Sequence, residues 1–212
     1  MKIAFPDSVN DLFELRPFDF GEGTNGRNLR VAWGKAIETH STKQGFVSFS
    51  ESWSVPTMWA HYADNHKGVC LGFDLPIYRG ASTRLADKIV YVNELIEMNE
   101  SVLTDTEYNK KMQEIAKSTK SVHWEYEQEW RYWFSLDETE KQAKLDNPST
   151  LFFAKFDRDL VLREVILGAK STNSSKGLQN LLKPTDNVKF TTARPSFRKF
   201  AMVQQQLKSK QK

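Results

Sequence analysis

The chain has 212 residues, and 30 Lys and Arg against 27 Asp and Glu give it a formal net charge of +3. That length allows one domain with its own core, and so small a net charge does not by itself indicate nucleic-acid binding. The single cysteine, Cys70, excludes an intramolecular disulfide and a four-cysteine zinc site. Because no apolar run is long enough to span a membrane and the start is too polar for a secretory signal, we expect a cytoplasmic protein with no membrane partner.

Hydrophobic periodicity locates the first predicted elements. Apolar residues recur at the i, i+3, i+4 spacing over residues 27–40, which predicts an amphipathic helix. Alternating apolar and small polar residues predict a half-buried strand over residues 45–50. A second helix is expected to be capped by Ser54 and to end at Gly68. Its predicted buried stripe consists of Val55, Met58, Trp59, Tyr62, Ala63 and His66.

Short strands dominate the rest of the chain, although residues 94–122 are expected to be helical and residues 174–183 to form a short helix before Pro184. The predicted strands are residues 69–73, 88–92, 129–136, 151–156, 164–168, 187–193 and 196–203. Most connections between them are not regular βαβ crossovers. The sequence therefore predicts an α+β fold with a mostly antiparallel or mixed β-sheet and flanking helices.

We find no internal repeat and no low-complexity linker, so we expect one domain over residues 1–203. Residues 204–212 form a basic tail that is expected to be disordered. Residues 194–212 carry six Lys or Arg and no acid, which would also attract a nucleic acid or an acidic partner.

The segment WEYEQEWR, residues 124–131, contains the strongest candidate site. If the chain is extended here, Glu127, Glu129, Arg131 and Trp133 share one face, directed at water or at a cleft. Two neighbouring carboxylates suit general acid–base work or the stabilisation of a developing cation, and the arginine opposes their mutual repulsion. A charged ladder on an exposed edge strand is the alternative. The opposite face is the apolar one and consists of Gln128, Trp130, Tyr132 and Phe134, of which the three aromatic residues are expected to be core.

Two further motifs carry polar side chains. Ser48 and Ser50 share one face of a predicted strand, where two hydroxyls could bind a ribose or a carboxamide or simply face solvent. His61 lies off the apolar stripe of its helix and is five residues from His66. Even with Asp64 nearby, that spacing places the two histidines on different faces, so we expect no metal site.

Four blocks stand out: PDSVNDLFE at residues 6–14, SFSE at 48–51 with MWAHYADNHKG at 58–68, WEYEQEWR at 124–131, and EVILG at 164–168. Together they resemble the uncharacterised bacterial family called domain of unknown function 2971. The resemblance covers most of residues 3–170 and implies no activity. Members of that family begin with an extra strand that carries an aromatic–basic motif, for which we find no counterpart in this sequence.

Paired serines on an early strand and paired glutamates on a late one also resemble ADP-ribosyltransferases of the arginine–serine–glutamate type. That resemblance implies a split α+β sheet and NAD as the substrate. It implies that Glu129 is the catalytic carboxylate, which stabilises the oxocarbenium-like transition state as nicotinamide leaves. Glu127 would orient the acceptor, a protein or a nucleic acid.

The same resemblance implies a set of NAD-binding side chains. Ser48 and Ser50 would line the nicotinamide pocket, and Tyr62 or Trp59 would stack on the ring. His61 or Arg30 could replace the missing first-strand basic residue. Arg131 completes the predicted set, and Trp59, Trp124 and Trp133 are the tryptophans expected at a cleft.

Three functions stay open. The first is an NAD-consuming transferase, such as a toxin or defence effector, which requires Ser48, Ser50 and Glu129 to converge in one cleft. The second is a binding or regulatory module without catalysis, in which Arg131 or a lysine neutralises Glu127 and Glu129. The third is a hydrolase of nucleotides or nucleic acid, which needs His61 or His66 near the glutamates and a divalent metal.

Overall fold

The computed structural model describes residues 1–5, 9–75, 86–138, 140–144, 147–156, 160–183 and 187–212. Its helices and strands, in chain order, are β1 (Phe18–Asp19), α1 (Gly23–Ser41), β2 (Gln44–Ser50), α2 (Pro56–Tyr62), β3 (Val69–Asp74), β4 (Ala86–Lys88), β5 (Val90–Val92), β6 (Ile96–Glu97), α3 (Thr106–Ser118), β7 (Thr119–Ser121), β8 (Glu129–Ser135), β9 (Glu140–Lys144), β10 (Asn147–Phe153), β11 (Val161–Leu167), α4 (Ser175–Gln179), β12 (Lys189–Pro195) and β13 (Met202–Gln204).

The fold is α+β with antiparallel and mixed sheets, as the sequence predicts. The chain divides into two compact units. Unit 1 comprises residues 1–49 and 83–155, and unit 2 comprises residues 50–82 and 156–212. A single domain over residues 1–203 stays a prediction.

Unit 1 is built around a three-stranded sheet of order β2-β8-β4, in which β8 is the central strand. Strand β4 runs antiparallel to β8, so that Asp87 lies opposite Arg131. Two short parallel pairs, β1–β6 and β5–β7, and the antiparallel pair β9–β10 complete its strands. The apolar residues of helix α1 recur every four positions, so they form one stripe along the helix, and this stripe is buried. The core consists of Leu15, Phe18, Leu29, Trp33, Ile37, Met98, Val102, Met112 and Ala116.

Unit 2 contains a four-stranded sheet of order β13-β12-β11-β3. Strand β11 is parallel to β12, and the other two pairings are antiparallel. Gly168, just after β11, lies so close to the turn after α2 that a Cβ there would be 2.2 Å from the carbonyl oxygen of His66. A glycine is therefore required at this close approach. The core consists of Trp59, Ala63, Ile166, Ala193 and Met202.

Helix α2 is shorter than predicted. Val55 occupies the N-cap position without a side-chain cap, so the prediction that Ser54 caps this helix is wrong. The helix ends at Tyr62, and a turn follows in which Asp64, Asn65 and His66 all have positive φ. That turn rotates the later part of the predicted stripe away from the core, and only Trp59 and Ala63 of the stripe are buried.

Other element boundaries also differ from the prediction. The predicted strand 88–92 is divided between β4 and β5. The predicted helix 94–122 contains β6, a 3-10 helix at Glu100–Leu103, α3 and β7. The predicted strand 196–203 is mostly a loop before β13. The helix expected at 27–40 and the strands expected at 45–50 and 129–136 are present as α1, β2 and β8.

Residues 204–212, which we expected to be disordered, include a 3-10 helix at Lys208–Lys210. The backbone N–H of Lys212 donates to Oγ1 of Thr192 at 3.1 Å, and that of Gln205 donates to the carbonyl of Thr192 at 2.7 Å. Pro184 lies outside the described residues. Among the helices of the described segments, none is long and apolar enough to cross a membrane.

The buried stripe of α1 gives a direct test of the unit 1 core. Leu29 is 4% exposed and Val31, on the same helix, is 53% exposed. We expect Leu29→Ala to lower the free energy of unfolding by about 2–5 kcal/mol, because it leaves a cavity among packed side chains. Val31→Ala should change it by less than about 0.5 kcal/mol. Urea denaturation followed by circular dichroism measures both; equal losses would contradict this core assignment.

Candidate functional site

Four hydrogen bonds converge on the carboxylate of Glu129 in unit 1. Arg131 donates Nε to Oε1 at 2.8 Å and one terminal nitrogen to Oε2 at 3.1 Å. Lys120 donates Nζ to Oε2 at 3.2 Å, and Ser48 donates Oγ to Oε1 at 2.6 Å. Glu129 itself is only 3% exposed, whereas Ser48 reaches the surface. Protein groups therefore satisfy both carboxylate oxygens, and Ser48 is the partner nearest to solvent.

Arg131 links this carboxylate to a second one. Its guanidinium donates to both oxygens of Glu14, at 2.5 Å and 2.9 Å, and also to the backbone carbonyl of Lys117 at 3.3 Å. The guanidinium lies 4.9 Å from the ring centroid of Phe46. Arg131 is 0% exposed, so every one of these contacts is made away from water.

Lys120 provides the second cation. Its Nζ donates to Oε2 of Glu127 at 2.5 Å and lies 4.8 Å from the ring centroid of Trp124. Glu127 is 4% exposed and Lys120 is 8% exposed. Glu14, Lys120, Glu127, Glu129, Arg131 and Ser48 together form what we call the charge cluster.

The local backbone explains how these residues meet. Strand β7 ends at Ser121, and a 3-10 helix over Val122–Glu127 returns the chain towards it, so that Glu127 reaches back to Lys120. Gln128 then adopts a left-handed conformation with φ 46°, which ends the helix and starts β8. The backbone N–H of Glu129 donates to the hydroxyl of Tyr91 at 2.8 Å, which fixes the start of the strand.

Burial and charge act in opposite directions on the titratable groups. Burial works against ionisation of Glu129, but the hydrogen bond and charge of Arg131, with Lys120 and Ser48, hold its pKa below the usual value. Burial raises the pKa of Glu14, although Arg131 opposes this. Burial also works against the charge on Lys120, but Glu129 and Glu127 raise its pKa. Glu129 is thus an ionised carboxylate and Lys120 a protonated amine at neutral pH.

Three carboxylates face two cations in the charge cluster, so its formal charge is −1 when all five groups are ionised. Removing one partner from a buried ion pair leaves the other without compensation and costs about 3–5 kcal/mol. The negative charge of Glu129 therefore lies next to the exposed hydroxyl of Ser48, and Lys120 and Arg131 hold the carboxylate in that position.

The charged face of β8 is buried, unlike the exposed edge strand that we held as the alternative. Strand β8 has a partner strand on each side, so it is not an edge strand, and both Glu129 and Arg131 are buried. Tyr132 and Phe134 are core as predicted, while Trp130 and Trp133 are half-buried. Glu127 is not on the strand: it is the last residue of the preceding 3-10 helix, since Gln128 breaks the extended conformation.

The structure brings together Ser48, Glu127, Glu129 and Arg131 of the predicted site. The other predicted NAD-binding residues belong to unit 2. Ser50 accepts the backbone N–H of Ser52 at 3.4 Å, and the rings of His61 and Tyr62, both exposed, lie 6.2 Å apart. Their role at the site stays a prediction. Arg30, the alternative basic residue in unit 1, donates to the carbonyl of Gly21 at 3.3 Å.

Trp59 corrects one expectation. It is 2% exposed, packs in the core of unit 2, and donates its indole N–H to the carbonyl of Trp53 at 2.6 Å. A ring enclosed in this way is a core side chain and does not line a cleft. Trp124 and Trp133 are half-buried in unit 1, and the Nζ of Lys117 lies 5.3 Å from the ring centroid of Trp133.

Sequence reasoning missed Glu14 and Lys120. Glu14 is the last residue of the first of the four blocks, but its distance along the chain from Arg131 hides the pairing. Lys120 lies in the segment over residues 94–122 that was expected to be helical. The signal that could have found it is charge balance, because buried carboxylates flanking one arginine require another cation. Within the described residues, no group of three or more His, Cys, Asp or Glu could hold a metal ion.

A separate cavity of about 480 Å³ lies in unit 1 between α1 and α3. Trp33, Ile37 and Ala116 form its apolar wall, and Lys117 contributes to its rim. None of its described lining residues belongs to the charge cluster, so this cavity is not the place where Glu129 would meet a ligand.

Comparison with known proteins supports the family resemblance. Residues 58–132 match the model of a family described as Protein of unknown function (DUF2971). This match includes the blocks at 58–68 and 124–131 and carries no activity with it. No curated protein and no solved structure matches the chain.

The buried arginine predicts a large effect on stability. We expect Arg131→Met to lower the free energy of unfolding by about 3–5 kcal/mol at neutral pH, because Glu14 and Glu129 lose a shared cation in a buried site. The matched control is Arg163→Met, since Arg163 is 55% exposed and pairs with the exposed Asp74. That change should cost less than about 1 kcal/mol. Urea denaturation compares the two, and a small effect of Arg131→Met would contradict the buried cluster.

The lowered pKa of Glu129 predicts a pH dependence. A carboxyl whose pKa is lower in the folded state than in the unfolded state stabilises the fold at any pH above its ordinary pKa of 4.5. That contribution is lost as the pH falls towards the pKa of the folded state. We therefore expect Glu129→Gln to be less stable than the wild type at neutral pH and to lose less stability on acidification. Unfolding midpoints measured across this pH range test it. Glu107→Gln, at an 82% exposed side chain, is the control, and an acid profile of Glu129→Gln that matches the wild type would contradict the assignment.

Proposed function

We propose that unit 1 contains an NAD-consuming site of the ADP-ribosyltransferase type, with Glu129 as its carboxylate. The observation that carries the proposal is the 2.6 Å hydrogen bond from Ser48 to Glu129. It joins Ser48 to the glutamate strand, which supports one part of the convergence of Ser48, Ser50 and Glu129 that such a site needs. NAD is the proposed substrate, and the proposed acceptor is a protein or a nucleic acid.

The electrostatics support this chemistry. The oxidised nicotinamide ring is cationic, and positive charge develops on the ribose as nicotinamide leaves. A carboxylate that is held ionised beside this carbon lowers the barrier, because it stabilises the transition state more than the ground state. The lowered pKa of Glu129 keeps it ionised, and a carboxylate charge is of the required sign.

The role proposed for each residue follows from its exposure. Ser48 is the exposed partner of Glu129, so a ribose hydroxyl would replace the Ser48 hydroxyl at Oε1 on binding. Arg131 and Lys120 hold the carboxylate in place and are positioning residues. Glu127, which pairs with Lys120, is the proposed acceptor-orienting carboxylate.

Release of nicotinamide from NAD tests the proposal. We expect Glu129→Gln to lower the rate by about 10²–10³, since it removes the charge that stabilises the transition state. Glu164→Gln is the matched control, because Glu164 is also a strand carboxylate with a lysine and a hydroxyl partner, Lys189 and Thr191. Ser48→Ala, which removes one hydrogen bond at an exposed residue, keeps the test valid if Glu129→Gln fails to fold. A folded wild-type chain that neither releases nicotinamide nor binds NAD by calorimetry would overturn the proposal.

A second candidate is a binding or regulatory module without catalysis. The observation that favours it is that Lys120 and Arg131 already neutralise Glu127 and Glu129, as that alternative requires. A carboxylate with four hydrogen-bond donors is a weaker electrostatic catalyst than one with free lone pairs. In the same assay, this candidate predicts no nicotinamide release by the wild type or by any of the variants.

A further inference from the structure

The loop between β12 and β13 in unit 2 exposes two large aromatic rings. Phe197 is 90% exposed, and Phe200 is fully exposed. Large aromatic side chains usually bury most of their surface on folding, so two of them exposed within four residues are unusual. An exposed aromatic pair of this kind marks a surface that binds something.

Hydrogen bonds within the loop fix this exposure. The backbone N–H of Ser196 donates to the carbonyl of Ala201 at 2.8 Å, and that of Ala201 donates to the carbonyl of Lys199 at 2.9 Å. The N–H of Arg198 donates to Oγ of Ser196 at 3.2 Å. Below the loop, Met202 is 2% exposed and anchors β13 in the core. The turn therefore presents the two rings outwards as part of its folded geometry.

One cation lies against Phe197, and two more lie between the two phenylalanines in the sequence. The guanidinium of Arg194 lies 4.7 Å from the ring centroid of Phe197, and Arg198 and Lys199 are exposed in the loop. The sequence from residue 194 to residue 212 contains six Lys or Arg and no acid. Aromatic rings interleaved with cations, without acids, match a partner that has flat apolar faces and negative charge.

A groove adjoins Phe197. It has a volume of about 470 Å³, and its lining includes Arg194, Phe197, Arg198, Gln204 and Gln206. Amide side chains both donate and accept hydrogen bonds, as base edges require. An apolar phase would leave such amides without partners, which makes a lipid surface a poorer match.

We propose that the loop at residues 196–201 and this groove bind single-stranded nucleic acid. Bases stack on Phe197 and Phe200, and phosphates lie against Arg194, Arg198 and Lys199. Single strands fit better than a duplex because their bases are free to stack on side chains. This inference does not depend on the NAD site and goes beyond it.

Fluorescence polarisation with a labelled oligo-dT at low salt tests the proposal on the full chain. We expect the wild type to bind and the Phe197→Ala, Phe200→Ala double variant to bind at least about tenfold more weakly, because it loses two stacking platforms. Leu181→Ala is the matched control, since it removes a 79% exposed apolar side chain from the same unit. It should leave the affinity unchanged.

Salt dependence tests the phosphate contacts separately. We expect Arg198→Ala to reduce the slope of log affinity against log salt by about 1. The proposal is overturned if the wild type does not bind the oligonucleotide, or if the phenylalanine variant binds as well as the wild type. It is also overturned if the two phenylalanines are needed only for binding to anionic vesicles, or only for self-association measured by light scattering.

Discussion

A fully buried guanidinium is the constraint on which unit 1 depends. Arg131 occupies the central strand of the three-stranded sheet and binds Glu14 and Glu129 at the same time. That charge can be buried only because both carboxylates compensate it. The double pairing fixes the positions of two distant parts of the chain. Lys120 extends the arrangement to Glu127, so that one region of the core is polar throughout.

This polar core explains why Glu129 is both a good and a constrained candidate for catalysis. Its ionised state is secured by its neighbours, but the same neighbours occupy its oxygens, and Ser48 alone among them lies at the surface. The transferase and the binding-module proposals differ in a single physical respect. In the first, a ligand replaces the serine hydroxyl; in the second, the charge cluster only stabilises the fold.

Periodicity predicted the elements in which one pattern runs long enough to be distinct. Helix α1 and strand β8 were found because a stripe or an alternation extends over several residues. The turn after α2 was missed because Asp64, Asn65 and His66 were assigned to the helix, although Asp, Asn and His are the non-glycine residues most often found at positive φ. The convergence of Ser48 with Glu129 was expected from the resemblance to ADP-ribosyltransferases. The parts played by Glu14 and Lys120 were not expected, since a pairing across the fold depends on topology that local pattern does not contain.

The separation of Glu14 and Arg131 along the chain also bears on how unit 1 folds. They are 117 residues apart, and unit 1 is built from two stretches with part of unit 2 between them. During synthesis the first stretch emerges with Glu14 long before its cation exists. A nascent chain therefore cannot enclose this carboxylate, and closure of so long a loop carries an entropic cost that delays completion of the core. The same pairing that stabilises the finished unit makes its assembly wait until Arg131 has been synthesised.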